Sequence, residues 1–191
     1  EGSIDFGSDE VKVILDDDGH PKNIVRKRRM PANRLIEELM LLANRTVARH
    51  IGGSDFHERV GGNGQYTHRD DPLPFIYRVH DNPDAEGIQK LAEYVQVFGH
   101  DLPLTNGNVT SEALGDLIDT VKGSPEEIVI SRAALRAMSK AKYSVGNIGH
   151  FGLGFDYYSH FTSPIRRYPD LIVHRLLKHY ARGGRPPSVD D

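Results

Sequence analysis

The sequence predicts an α+β domain in which a mixed or antiparallel sheet is packed by several helices. Three observations carry this. Strand-like runs flank turn chemistry near the start, three amphipathic helices follow one another in the middle, and an alternating stretch leads into a final helix. With 191 residues the chain is long enough for a real hydrophobic core. Its charged and apolar fractions are those of an ordinary soluble globular protein.

Ile4-Asp5-Phe6 reads as the end of a strand. Val11-Lys12-Val13-Ile14-Leu15 and Asn23-Ile24-Val25-Arg26 are strand-like, and Asp17-Asp18-Gly19-His20-Pro21 between them is turn chemistry, so a hairpin is expected. Asp16, Asp17 and Asp18 offer carboxylates to a cation, but consecutive acids on a strand point to different faces, and a solvated turn is the simpler reading. The basic run Arg26-Lys27-Arg28-Arg29 reads as a solvated edge. Leu35 to about His50 is a helix with apolar residues around most of its circumference, which predicts burial on several sides. On such a helix Glu37 and Glu38 need partners. They either satisfy basic neighbours such as Arg34 or sit at the exposed helix start, or one of them faces an active cleft; periodicity leaves these readings open.

Gly52 to Pro72 is polar and glycine-rich and predicts a long loop. Its Gly61-Gly62-Asn63-Gly64 run lacks the lysine and the strand-to-helix context of a phosphate loop. Pro74 to Asp81 alternates as a strand, with Phe75, Tyr77 and Val79 on one side and Ile76, Arg78 and His80 on the other. Arg78 and His80 either touch a ligand or serve the structure. Helices are expected from Asp84 to Phe98, stopped by Gly99; from Ser111 to about Val121; and from Glu126 to Ala141, the last packing through Ile128, Val129, Leu135 and Met138. Gly149 to Tyr158 alternates again. Phe151, Leu153, Phe155 and Tyr157 form one face, and Gly152, Gly154 and Asp156 the other. The glycine face is either a floor for a strand of nucleic acid or a place where another protein segment packs.

The stretch that carries chemistry runs from His160 to Leu171. Ser163 followed by Pro164 predicts a helix start, with the serine hydroxyl as cap and the proline where no N–H is needed. Free N–H groups and the helix dipole at such a start favour an anion. Arg166 and Arg167 add five N–H donors each, in forks that match phosphate oxygens. Arg166, Asp170 and His174 lie four apart, so Asp170 is expected to hold Arg166 or His174. Phe161 and Tyr168 flank the site with flat faces on which a base stacks. The competing reading is an ordinary solvated ion pair. Pro169 cannot donate to the carbonyl of Ile165, so the helix must kink or restart there.

Charge and composition narrow the function further. The chain has no cysteine, which excludes disulfides and thiolate metal sites. No apolar run approaches a membrane span and no signal-peptide pattern opens the chain, so a cytoplasmic location is the expectation. Residues 1–69 carry eleven basic and eleven acidic residues, residues 70–130 three basic and twelve acidic, and residues 131–191 ten basic and four acidic. The basic third holds the arginine pair, as a polyanion-binding face requires.

His150-Phe151-Gly152-Leu153-Gly154 and Tyr158-Ser159-His160-Phe161-Thr162-Ser163-Pro164-Ile165-Arg166-Arg167-Tyr168-Pro169-Asp170-Leu171 resemble the signature of the ribonuclease II superfamily catalytic (RNB) domain. The pattern is closest to that of the bacterial ribonuclease R enzymes. Leu35-Ile36-Glu37-Glu38 with Leu41-Leu42-Ala43-Asn44, Pro74 to His80, and Gly2 to Phe6 fit in the same order. One departure is Asn33, at a place where the family usually has histidine, with Met30-Pro31 before it.

The resemblance implies part of a processive 3′ to 5′ exoribonuclease that uses magnesium to release nucleoside 5′-monophosphates from single-stranded RNA. In this family four clustered aspartates hold the metals. Asp16–Asp18, Asp70-Asp71 and Asp190-Asp191 do not have that spacing, so magnesium is expected in the full-length enzyme but not on this chain. Residues 1–191 are expected to be the C-terminal half of the catalytic domain, separated from the missing N-terminal half and from flanking OB-type RNA-binding domains, and inactive by themselves. Carried over by motif, Arg166 matches the arginine on the scissile or neighbouring phosphate. Glu37 matches the active-site glutamate, with Glu38 as the alternative. Arg167, Tyr168, His160, Phe161, Ser163 and Arg78 are the expected RNA-binding residues. The alternatives are an RNA-binding or regulatory relative without activity, and a protein-interaction scaffold.

Overall fold

The structure is a computed structural model that describes residues 4, 6, 11–26, 30–53, 57–60, 65–68 and 73–184, the two segments 57–60 and 65–68 as backbone. The Gly61–Gly64 run, Lys27 to Arg29, Asp5, Asp70-Asp71 and Asp190-Asp191 lie outside the described residues. In chain order the elements are β1 (Val11–Leu15), β2 (Pro21–Arg26), α1 (Pro31–Gly52), β3 (His57–Val60), β4 (Gln65–His68), β5 (Tyr77–Val79), α2 (Ala85–Gln96), α3 (Ser111–Val121), α4 (Glu127–Ala137), β6 (Lys142–Ser144), a 3₁₀ turn (Phe151–Leu153) and α5 (Tyr168–Ala181). This is the α+β class expected. Among the described residues the strands form three separate antiparallel pairs, β1–β2, β3–β4 and β5–β6.

Local chemistry explains most of the elements. The β1–β2 turn closes because Asp16 Oδ1 accepts from the N–H groups of Asp18 and His20, and Gly19 takes a positive φ of 83°. Helix α2 is capped by Asp84, which accepts from Gly87 N–H, and Gly99 beyond its end has φ 82°. The cap of α3 is Thr110, accepting from Ala113 N–H. No helix among the described residues is long and apolar enough to cross a membrane.

Two apolar cores form. One joins α2, α3 and α4 through Ile88, Leu91, Val95, Leu114, Ile118, Val121 and Ile130. The other joins the last turns of α1 to the β5 segment and α5 through Ala48, Ile51, Phe75, Tyr77, Val79, Val173 and Tyr180. At the end of α1 a side chain on Gly52 would overlap the Tyr77 hydroxyl, so glycine lets the helix close on β5. Tyr77 itself is pushed up to about 12, chiefly by burial.

Four expectations are corrected here. Helix α1 is not buried on several sides: Leu35, Ile36, Leu39 and Leu42 are exposed, and only Asn44, Ala48 and Ile51 are buried. The span expected to be one loop contains the β3–β4 hairpin. Helix α4 ends at Ala137 and packs through Ile130 and Ala134, with Met138 against the same core as expected, but Ile128, Val129 and Leu135 are exposed, because the face turned to the core is the one that carries residues 130, 134 and 137.

The fourth concerns Gly149 to Tyr158, which is no strand. Gly149 (φ 77°) and Gly154 (φ 63°) bend the chain around the 3₁₀ turn, and His150 is bridged to His80 and to Phe155. Gly152 does not face a ligand. Its N–H donates to His80 Nδ1 over 3.0 Å, and a Cβ there would lie 2.8 Å from that nitrogen. The opposite ring nitrogen of His80 meets the carbonyl of Ser139 at 2.7 Å, so His80 is fully engaged by backbone. Gly152→Ala is expected to lower stability by roughly 1–3 kcal/mol through that overlap. A urea midpoint unchanged from wild type would show that the His80–Gly152 contact is not tight.

Candidate functional site

The arginines sit on a turn between two elements that hold it from both sides. From Ser163 to Arg167 the chain makes a single helical turn, in which Arg166 and Arg167 N–H both donate to the carbonyl of Ser163 (3.3 and 3.1 Å). The turn does not continue. Pro169 stands in the first turn of α5 and has no N–H for a preceding carbonyl, and Arg167 becomes an extended N-cap (φ −126°, ψ 117°). The helix therefore starts at Tyr168, not at Ser163.

That shift changes the pairing. Asp170 is fully buried, and its Oδ1 accepts from Ser163 N–H at 2.7 Å and from Arg167 Nη2 at 2.8 Å. The expected partner was Arg166 at i−4, but residues 166 and 170 do not share one helix. The extended Arg167 instead folds back over the first turn of α5. The expected cap is also inverted: Ser163 offers its backbone N–H to a carboxylate, and its hydroxyl caps no N–H among the described residues. Asp170 Oδ2 and Arg167 Nε are buried beside this contact without a hydrogen-bond partner among the described residues, so the pair is single-pronged and not a two-pronged fork.

Arg166 is exposed, and its guanidinium makes no hydrogen bond or ion pair with a described residue. Ile165 and Tyr168 around it are exposed as well. The turn thus presents one arginine to solvent and ties down the other.

Behind the turn the backbone is pinned by Asn44 of α1. Its Oδ1 accepts from the N–H groups of Phe161 (2.9 Å) and Thr162 (3.2 Å), and its Nδ2 donates to the Tyr158 hydroxyl (3.2 Å). Phe161, expected as a platform for a base, has one face covered by His174, with ring centroids 4.1 Å apart and 15° between the planes. His174 Nε2 also hydrogen-bonds the Phe161 carbonyl at 2.9 Å, so His174 is bound here and not to Asp170.

Beside the turn, His160 Nδ1 hydrogen-bonds the Tyr143 hydroxyl at 2.8 Å, and the Arg78 guanidinium lies 4.9 Å from the centre of the Tyr143 ring. Arg78 and Tyr143 face each other because they are register partners across β5–β6. His160 is pushed down to about 4 by burial first and then by Arg167; His150 is pushed down to about 4 by burial and then by His80. Both imidazoles are neutral at pH 7, so the positive charge here belongs to the arginines.

The structure therefore brings Ser163, Arg166 and Arg167 onto one turn, flanked by His160 and by Tyr168 at the start of α5, and reaches Arg78 through Tyr143. Glu37 is partly buried and Glu38 exposed. Glu37 lies seven residues before Asn44, two turns along the same face of α1. Sequence reasoning missed Tyr143, and it named Asn44 within the Leu41–Asn44 motif without giving it a role in the turn. The signal for Asn44 was a polar residue at 4- and 7-residue spacing from buried Ala48 and Ile51.

A hard divalent cation needs several carboxylate or carbonyl oxygens. The carboxylate inside the turn, Asp170, already accepts from Ser163 and Arg167. Among the described residues one group of three acids and histidines comes together, Asp16, Asp18 and His20 on the exposed β1–β2 turn. The residues of the arginine turn therefore do not make up the ligand set of a magnesium ion.

The family described as the RNB domain matches residues 1–183. The chain belongs to that family. It is 40% identical over 188 residues to ribonuclease R 1 of Lactococcus lactis, covering 98% of this chain and 21% of that protein. To ribonuclease R of Aquifex aeolicus it is 43% identical over 182 residues, covering 95% of this chain and 23% of that one. The chain thus spans between a fifth and a quarter of these curated relatives. The fold is that of Mycoplasma genitalium RNase R, solved in complex with ribose methylated single-stranded RNA, at TM-score 0.75 and 32% identity over 94% of this chain and 25% of that one. The fold is shared too by yeast Ssd1, described as a pseudonuclease, at TM-score 0.62 and 24% identity over 82% of this chain and 17% of that one.

The partly buried His150 and His160 give the RNB segment a pH dependence. Between about pH 6.5 and about pH 4 the unfolded chain takes up protons at His150 and His160 that the folded chain refuses, so stability falls as the pH drops through that window. Imidazole resonances of both residues are expected to titrate near 4 by NMR. Midpoints near 6.5 would contradict their burial.

Proposed function

We propose that this chain supplies the phosphate-gripping part of the active site of a processive 3′ to 5′ exoribonuclease that hydrolyses single-stranded RNA to nucleoside 5′-monophosphates. The observation that carries the reading is Arg166, exposed and unpaired among the described residues, on a turn fixed by buried side chains. Membership of the RNB family and likeness to ribonuclease R proteins, one of them solved with single-stranded RNA, support the substrate class.

In this reading Arg166 binds a non-bridging oxygen of the scissile or neighbouring phosphate. As water attacks, negative charge builds on those oxygens, and a guanidinium already aimed at them stabilises that charge without reorganising. Arg167, held by Asp170, adds positive potential and shapes the turn. Tyr168, His160 and Arg78 line the RNA path, and Glu37 on α1 faces the reacting end. The magnesium of such an enzyme would be held by carboxylates that the arginine turn does not supply, in a soluble cytoplasmic protein that carries this chain as part of its catalytic domain.

In that full-length protein Arg166→Ala is expected to lower kcat by about 100-fold or more while the Kd for single-stranded RNA rises only a few-fold. Equal losses in both would mean that Arg166 only holds substrate. RNA binding without any hydrolysis by the wild-type protein would favour a non-catalytic relative. The isolated 191-residue chain is expected to release no mononucleotide with magnesium; release would contradict the division of the site.

A further inference from the structure

Three consecutive backbone N–H groups ahead of the arginines are all tied to buried side-chain oxygens. Phe161 and Thr162 donate to Asn44 Oδ1, and Ser163 donates to Asp170 Oδ1. Asn44 is only 3% exposed, and its third contact, to the Tyr158 hydroxyl, reaches the chain on the other side of His160. One amide side chain thus grips the segment that leads into the arginine turn at residues 158, 161 and 162. Asp170 belongs to α5 and moves with it, whereas Asn44 belongs to α1 and ties that helix to the segment leading into the turn.

Helix α1 is unbroken from Pro31 to Gly52, and Glu37 lies on the Asn44 face two turns earlier. Over that distance a helix is a rigid rod, so where Asn44 meets the backbone fixes where Glu37 stands relative to Arg166. We propose that Asn44 is a positioning residue, which sets the register between the helix bearing Glu37 and the arginine turn. The inference rests on the reading of Arg166 as the phosphate grip. Asn44 touches neither substrate nor reacting atoms. It acts by holding amides in place, and a misplacement of about 1 Å in an active site is enough to slow a reaction by about 100-fold.

The chemistry of the contacts separates positioning from mere packing. Asn44 uses one carbonyl oxygen as a double acceptor and one amide as a donor to a hydroxyl. Asp at this position keeps the acceptors, and the Tyr158 hydroxyl can rotate to donate in place of accepting. Leu keeps the bulk and loses every hydrogen bond.

The test uses the full-length protein that carries this chain, with kcat and KM on single-stranded RNA measured per folded molecule. Asn44→Leu is expected to lower kcat by about 10- to 100-fold with KM within about 3-fold, and Asn44→Asp to restore most of that loss. The double variant Asn44→Leu with Arg166→Ala is expected to be no slower than Arg166→Ala alone, because both remove the same aligned interaction. If the two losses multiply, or if Asn44→Leu lowers only the folded fraction, Asn44 does not position the turn. Should Arg166→Ala itself leave kcat unchanged, the phosphate-grip reading fails first, and Asn44 has nothing to position. If Asn44→Leu does not fold, Asn44→Asp and Asn44→Ser still decide the matter: a kcat unchanged in Ser, which is too short to span all three contacts, would overturn the proposal.

Discussion

The site depends on one buried carboxylate. Asp170 lies inside the first turn of α5 with no exposure, and its Oδ1 takes both the Ser163 amide and the Arg167 guanidinium. A buried charge pair contributes little net stability compared with an apolar pair of the same size, since both ions lose their water. It does define geometry, because a buried carboxylate stripped of its cation is strongly unfavourable. Of two adjacent arginines only one can be tied in this way. The other, Arg166, is left outward on the same turn, with its charge available to a ligand.

Around this point the fold supplies rigidity from two directions. The second core brings the last turns of α1 and the middle of α5 together across the β5 segment, so the helices that contribute Asn44 and Asp170 are fixed relative to each other before either touches the turn. The amides of residues 161, 162 and 163 then have their acceptors supplied by those helices. Beside them, burial keeps His150 and His160 neutral, so these rings occupy space next to the arginines without adding charge. On the proposed reading, a phosphate at Arg166 meets a guanidinium carried on a turn whose backbone is already fixed, the condition under which electrostatic stabilisation is most effective.

Much of this was legible in the residues. The Asp16–His20 turn, the Asp84 cap and Gly99 stop of α2, and the alternation of Phe75, Tyr77 and Val79 follow from local chemistry, and the structure has them. The arginine pair was legible as a site, but its wiring was not. Counting i to i+4 from Arg166 to Asp170 assumed a continuous helix; Pro169, already visible as a break, moved the helix start to Tyr168 and the ion pair to Arg167. The stretch Gly149–Tyr158 misled for a related reason. Alternating aromatics and glycines look like a two-faced strand, yet glycines that take positive φ turn the chain, and what met Gly152 was His80 from 72 residues earlier. In α4, Ile128, Val129 and Leu135 lie off the face that carries Ile130 and Ala134 into the core. Long-range partners such as Asn44 with Phe161 have no local signature beyond one polar residue on a buried stripe.

The central claim is a division of labour between neighbours, with Arg166 free for phosphate and Arg167 bound to Asp170. Arginine side-chain NMR resolves it directly, by following the Nε–H resonances of both residues in the full-length protein as a short single-stranded oligoribonucleotide is added. The account expects the Arg166 resonance to shift with RNA while that of Arg167 stays close to its position in the free protein. A shift confined to Arg167, or none at Arg166 when the RNA is bound, would contradict it.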